Sequence, residues 1–397
     1  MALVLVVLAV AVLVWQQPWR SQDPPASAGP PIPADASARL IAQFAALSAA
    51  DSREEFVAAA GSGPAAQQFG EAAWQARVAL DVGPVQLRYV SGGDTAEFDD
   101  GDTLADVEVS WSDDDEVAPA TVGVRLRPMP DGTFDVVSAG AVDGQLPVWL
   151  AGDVEVESEG EVTVVRLDGG DPDLEVEDLA ATARDQVTDV AEADGALVVV
   201  SPAAPRTSAA LLGQQSGSLG QIAAVSTSFD LRHGDLAGPA VVLNPDVFDT
   251  MDRRAAQIVM THEATHVLTG AVGTSIETWV SEGFADFVAL RDDTASLTVS
   301  AGQVLAEVRD DGPPEALPGP ADFDGATVGL GAVYESTWLV FRMLGEEFSE
   351  TQVVGFYRDV LAGESIDAAA GEAFGLDTAQ ITARWRSYLT NIASMVS

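Results

Sequence analysis

The stretch His262-Glu263-Ala264-Thr265-His266, followed by Trp279-Val280-Ser281-Glu282-Gly283-Phe284-Ala285-Asp286, decides how the rest of the chain is read. Its first five residues fit the pattern H-E-x-x-H. Side chains four apart lie on one helix face, so both imidazoles can reach one Zn2+ ion. Glu263 then sits beside the first ligand, placed to act as general base toward a water that zinc makes acidic. A catalytic zinc takes three protein ligands and keeps an open position. Glu282, sixteen positions after His266 on a second expected helix, is the expected third ligand. Asp286 follows by four and is expected to accept the other ring N–H of a ligand histidine, fixing its tautomer. Glu277 is a rival third ligand. The Thr274-Ser275-Ile276-Glu277 spacing of a capping box accounts for it instead. The bland alternative, an exposed helix with ordinary His and Glu, has to contend with a chain of only three histidines, two of them in this pattern.

These residues, with Trp279-x-x-Glu282-Gly283-Phe284-Ala285-Asp286 after the histidine pair, resemble the gluzincin metallopeptidases, closest to their peptidase MA-like branch. The resemblance spans roughly residues 195–397. It implies a zincin-like domain with a mostly helical C-terminal half, a zinc cofactor and peptide or protein substrates. The G-x-M-E-N motif of the aminopeptidase N-like members is absent, which favours an endopeptidase. Two other readings stay open. One is a non-catalytic binding module with a structural zinc; the other is a zinc hydrolase acting on cell-wall peptides.

Two further residues are candidates for catalysis. Tyr334, at the start of an expected helix over 333–347, could donate to the oxyanion of a tetrahedral intermediate or pack between helices. His233, the remaining histidine, could be a transition-state donor or a plain turn residue. Gly283 is expected to allow close approach to the helix over 249–269, whose N-cap would be Asp249 or Thr250 and whose end is marked by Gly270. A strand just ahead of that helix could serve as the edge to which an extended peptide adds.

Working outward, the chain reads as α+β in four parts. Residues 1–20 hold the apolar run Ala2 to Trp15, expected to be a signal anchor. That places the protein as single-pass at the cell membrane with its catalytic part outside the cytoplasm, secretion being the alternative. Residues 21–37, with five prolines, form a linker. Residues 38–150 are helices followed by an antiparallel meander, in the order of a nuclear-transport-factor-like cone. The acid run Asp113 to Glu116 reads as a solvated hairpin. Residues 151–397 form the metallopeptidase-like domain, beginning with an exposed strand pair over 152–167. The Pro/Gly/Asp-rich segment 301–325 is expected to be a substrate-side loop.

Composition narrows the function classes. The formal net charge is −43 and all 19 basic residues are arginine. Such a surface argues against nucleic acid as a partner. There is no cysteine, so disulfides, thiolate metal ligands and thiol nucleophiles are excluded.

Overall fold

The computed structural model describes residues 34–92, 101–111, 120–170, 174–229, 238–323 and 329–395. Three helices open it: α1 (Ala34–Ala49), α2 (Arg53–Ala60) and α3 (Pro64–Ala79). Ser52 caps α2 by accepting the Glu55 N–H, and Pro64 starts α3 where its missing N–H costs nothing. A meander follows: β1 (Gln86–Gly92), β2 (Thr103–Ser110), β3 (Ala120–Pro128) and β4 (Phe134–Asp143), antiparallel in that order. Val107 and Val109 alternate with half-exposed neighbours, so one face of this sheet packs under the helices.

The second sheet has the order β5-β6-β7-β9-β8, from β5 (Val154–Glu159), β6 (Val162–Leu167), β7 (Leu197–Pro202), β8 (Ala224–Phe229) and β9 (Gly238–Leu243). Strands β6, β7 and β9 run parallel; β5 and β8 are antiparallel edges. Helix α4 (Val176–Ala191) makes the crossover from β6 to β7, and the short α5 (Pro205–Leu211) leads from β7 to β8.

Period-two alternation gives this sheet two apolar faces. Val164, Leu197, Val199 and Val241 face the C-terminal helices, while Val165, Val198, Val200 and Val242 share a core with α1–α3 and the meander. Each strand of the centre is therefore buried twice, and β7 is buried along its whole length. The expected exposed strand pair over 152–167 holds only for β5. Its partner β6 is an inner strand because it pairs on its other side with β7.

The remaining helices are α6 (Pro245–Phe248), α7 (Arg253–Thr269), α8 (Thr278–Ala289), α9 (Leu297–Ser300), α10 (Gly302–Asp311), α11 (Leu330–Glu347), α12 (Glu350–Leu361), α13 (Ile366–Phe374) and α14 (Thr378–Met395). The chain is thus mixed α/β, with strands gathered toward the N-terminal part and a helical C-terminal half. The segment 301–325 is not a plain loop. Val304, Leu305 and Val308 give α10 a buried stripe, which the Pro and Asp content had masked. No side chain of its own caps α10; Glu335 of α11 does so, accepting the Val304 N–H at 2.8 Å. Burial outweighs that bond and pushes the Glu335 carboxyl up to about 7.

The expected single-pass membrane location is corrected here. Among the described residues no helix is long and apolar enough to cross a membrane. The two longest carry charges within them, Glu335 and Arg342 in α11, Arg384 and Arg386 in α14. The apolar run Ala2 to Trp15, the linker up to Pro33 and the acid run Asp113 to Glu116 lie outside the described residues.

Gly283 lets two helices meet, and the partner is α11 rather than α7. A Cβ there would stand 2.8 Å from the Thr337 carbonyl oxygen and 2.7 Å from the Phe341 ring. Gly283→Ala is therefore expected to destabilise by about 1–3 kcal/mol, read by denaturant unfolding. Glu335 gives a pH signature. Its pKa rises on folding, so the folded state holds the extra proton between the ordinary glutamate value and about 7, and stability falls as pH rises through that window. Relative to Glu335→Gln, wild type is expected to lose about 1–3 kcal/mol between pH 4.5 and 8; parallel curves would show that this carboxyl does not titrate there.

Candidate metal centre

Helix α7 carries the histidine pair. Asp252, not Asp249 or Thr250, is its N-cap, accepting the Ala255 N–H at 2.9 Å. The preceding residues 245–248 turn into α6 behind Pro245, and Asp249 closes that helix as its C-cap. Gly270, with φ 75°, closes the other end in the left-handed conformation that glycine adopts without cost. From Ala255 to Val267 nearly every residue is buried, because α4, α8 and the sheet close round the helix. Buried Thr261 and Thr265 stay satisfied, Thr261 by donating to Gln186 of α4 and Thr265 to the Thr261 carbonyl.

Helix α8 packs across α7 and brings Glu282 to the histidines. His262 Nε2 and His266 Nε2 are 3.1 Å apart, and Glu282 Oε2 is 3.2 Å from His262 Nε2. Glu282 Oε1 stands 3.8 Å from His266 Nε2 and has no hydrogen-bond partner. All three side chains are buried, at 0–1% exposure. Zinc bonds of 2.0–2.2 Å in tetrahedral array set ligand atoms roughly 3.3 Å apart, so the spacing suits that ion. The donors suit it too: two imidazole nitrogens and one carboxylate oxygen. Two Nε2 atoms facing each other at this distance can share only one proton, and a buried carboxylate oxygen with no partner completes a group that accommodates a cation.

The ring orientation is held from behind. Asp286 Oδ1 lies 2.7 Å from His262 Nδ1, and the Ser281 hydroxyl 3.3 Å from His266 Nδ1. Ser281 escaped the sequence reading. Its place next to Glu282 in the chain was the available signal, but a serine in an apolar helix carries no chemical mark of its own. Burial opposes charge on His262, yet the Asp286 and Glu282 carboxylates hold its pKa well above the usual imidazole value. Burial would raise Glu282 too, but the two histidines draw it down to about 2.

Glu263 is fully buried beside this group. Its Oε2 accepts the backbone N–H of Ser226 in edge strand β8 at 2.8 Å, while its Oε1 has no partner. Burial pushes its carboxyl up, against the pull of His262 and His266. Tyr334 of α11 is buried with its ring centroid 6.4 Å from that of His262, and Phe323 packs edge-on against it at 5.4 Å. Glu277 is exposed and outside the cluster. The capping box expected to occupy it does not form: Thr274 donates to the Ala271 carbonyl, and no side chain caps α8. His233 lies outside the described residues. The acidic trio Asp359, Glu364 and Glu372 also comes together, half-exposed or exposed on the surface.

No protein-family model matches the chain, and no curated protein matches it. Among solved structures, a two-domain M1 zinc metallopeptidase mutant bound to L-arginine is 10% identical, with a TM-score of 0.36. That likeness covers 68% of this chain and 60% of the other. An M1 zinc metallopeptidase mutant from Deinococcus radiodurans, bound to a Tyr-Ser-Ala substrate, is 11% identical with a TM-score of 0.35, covering 73% and 61%. The chain thus spans about three-fifths of each neighbour's length.

Glu282→Ala is expected to abolish tight zinc binding and Glu277→Ala to leave it intact, measured by competition with a chelating dye. Asp286→Asn is expected to weaken it about 10- to 100-fold by loosening His262.

Proposed function

We propose that this chain is a zinc-dependent metallopeptidase of gluzincin type that hydrolyses internal peptide bonds in peptide or protein substrates. The observation that carries the reading is the buried convergence of His262, His266 and Glu282, with the unpartnered Oε1 of Glu263 beside it. His262, His266 and Glu282 are the residues that would hold zinc. When bound, the ion supplies Lewis acidity, polarising the substrate carbonyl and making water a nucleophile at neutral pH.

The chain's own groups do the rest. Glu263 takes the proton of the attacking water and returns it to the leaving amine. The Ser226 N–H fixes one of its oxygens, which leaves the other to handle the proton. Asp286, opposite Nδ1, selects the tautomer in which His262 Nε2 offers a lone pair; the Ser281 hydroxyl steadies His266. Tyr334, on the His262 side, is assigned as donor to the developing oxyanion. Among the described residues strand β8 pairs with β9 alone, which suits addition of an extended substrate along its outer edge beside the Ser226 N–H that serves Glu263.

The composition of the same strand supports our preference for internal bonds. An exopeptidase needs a charged group to hold a free chain terminus, and β8, Ala224-Val225-Ser226-Thr227-Ser228-Phe229, has none. We read the layer formed by residues 38–150 as a nuclear-transport-factor-like cone from its element order, three helices and then a four-stranded meander.

Complete burial of the cluster favours a second reading, a closed structural zinc in a binding module. That reading needs a fourth protein ligand. Asp286 is engaged at the far nitrogen of His262, and Glu277 is exposed.

The deciding experiment compares wild type and Glu263→Gln for zinc content and for cleavage of a peptide library blocked at both ends. One zinc in each is expected, with cleavage at least about 100-fold slower in the variant. Zinc in both and cleavage in neither would favour the structural site. An equally active variant would remove Glu263 from the mechanism.

A further inference from the structure

Eight buried side-chain polar atoms have no hydrogen-bond partner among the described residues, and three of them belong to residues at or beside the metal centre: Glu282 Oε1, Glu263 Oε1 and, on the residue whose N–H binds Glu263, Ser226 Oγ. A buried polar atom without a partner is destabilising, so three on neighbouring residues call for a function that uses them. The first is accounted for by the metal and the second by the proton it handles. The hydroxyl of Ser226 has no role in either.

Its position follows from the strand. Along β8, Ala224 belongs to the core under the C-terminal helices, while Val225 and Phe229 belong to the core on the opposite face. Alternation puts Ser226 on the helix side, where α7 lies. In an antiparallel ladder alternate residues turn their main-chain groups to the partner strand and away from it. Ser226 turns away from β9, since its N–H goes to Glu263. Main chain and hydroxyl of Ser226 therefore both address the space beside the general base. Burial grades along this face: Ala224 and Ser226 are buried, and Ser228 is exposed. The face opens to solvent one pair beyond Ser226.

We infer that Ser226 is a substrate-contacting residue, whose Oγ hydrogen-bonds the main chain of a peptide lying along β8, next to the bond that Glu263 serves. A serine hydroxyl both donates and accepts, so either the carbonyl or the N–H of an amide satisfies it. It carries no charge to offer a free ammonium or carboxylate. The inference rests on the peptidase reading above and adds to it a named contact with the substrate backbone.

The test is Ser226→Ala beside Ser226→Thr, in the full chain loaded with zinc, on an internally quenched peptide blocked at both ends. Alanine keeps the backbone N–H to Glu263 and removes only the hydroxyl. Expected for alanine are unchanged zinc content, an unchanged or higher Tm because an unpaired buried hydroxyl is gone, and kcat/KM lower by about tenfold. Threonine, which keeps the hydroxyl, is expected to retain more activity than alanine. Wild-type kcat/KM in the alanine variant would overturn the inference while leaving the peptidase reading intact. A clear fall in its Tm would overturn it as well, because the hydroxyl would then have a structural task. A wild-type protein that fails to cleave would remove the peptidase reading, and the contact with it.

Discussion

Burying charge is the constraint on which the rest of this structure depends. His262, Glu263 and Glu282 are removed from water altogether, in a medium where an uncompensated ion costs several kcal/mol. Each must find its counterpart within a few ångströms, and the surrounding elements are arranged to supply it. Helix α8 has to cross α7 at the histidine turn, because Glu282 and Asp286 approach His262 from opposite ends of one imidazole. Strand β8 has to lie at the edge of its sheet, because the Ser226 N–H, turned away from β9, answers Glu263. Helix α11 can press on α8 only because Gly283 leaves room for Phe341 and the Thr337 carbonyl. Moving α8 or β8 would leave a buried carboxylate or imidazole without its counterpart.

The central sheet explains why the N-terminal layer is more than an attachment. Its strands have one apolar face under the helices that carry the site and another under α1–α3 and the meander. Without that layer Val165, Val198, Val200 and Val242 would face water on the strands that hold β9 and β8 in place. The layer also touches the edge strand directly: Gln145 donates to the Thr227 hydroxyl at 2.9 Å, on the side of β8 away from α7. Geometry at Ser226 is therefore fixed from both sides of the sheet.

Surface electrostatics contribute differently. With 62 acidic residues against 19 arginines, most carboxylates cannot pair. The arginines that do pair tie elements together, as Arg254 does with Asp293 and Arg291 with Glu350. Exposed pairs of this kind are worth about 0–1 kcal/mol each. Asp102 is different. Its carboxylate is buried between Arg125 and Arg127, whose hydrogen bonds hold its pKa low against the effect of burial. The pairing clamps the start of β2 to β3.

By itself the sequence determined what depends on spacing within one element. His262 and His266 face the same way because four residues make about one helical turn, and Asp286 shares a face with Glu282 for the same reason. Strand alternation and the glycine after Thr269 were legible on the same local grounds. What needed the tertiary structure was every relation between elements distant in the chain. Asp252 displaced the expected caps once α6 had used the preceding residues. The buried stripe of α10 stayed hidden because proline and aspartate dominate the composition around it. Gly283 meets α11 instead of α7, and Glu277 is set aside by exposure, not by a capping box. Ser226 and Ser281 carry no pattern at all. A serine acquires a task only when folding brings a carboxylate or an imidazole beside it and excludes the water that would otherwise satisfy both.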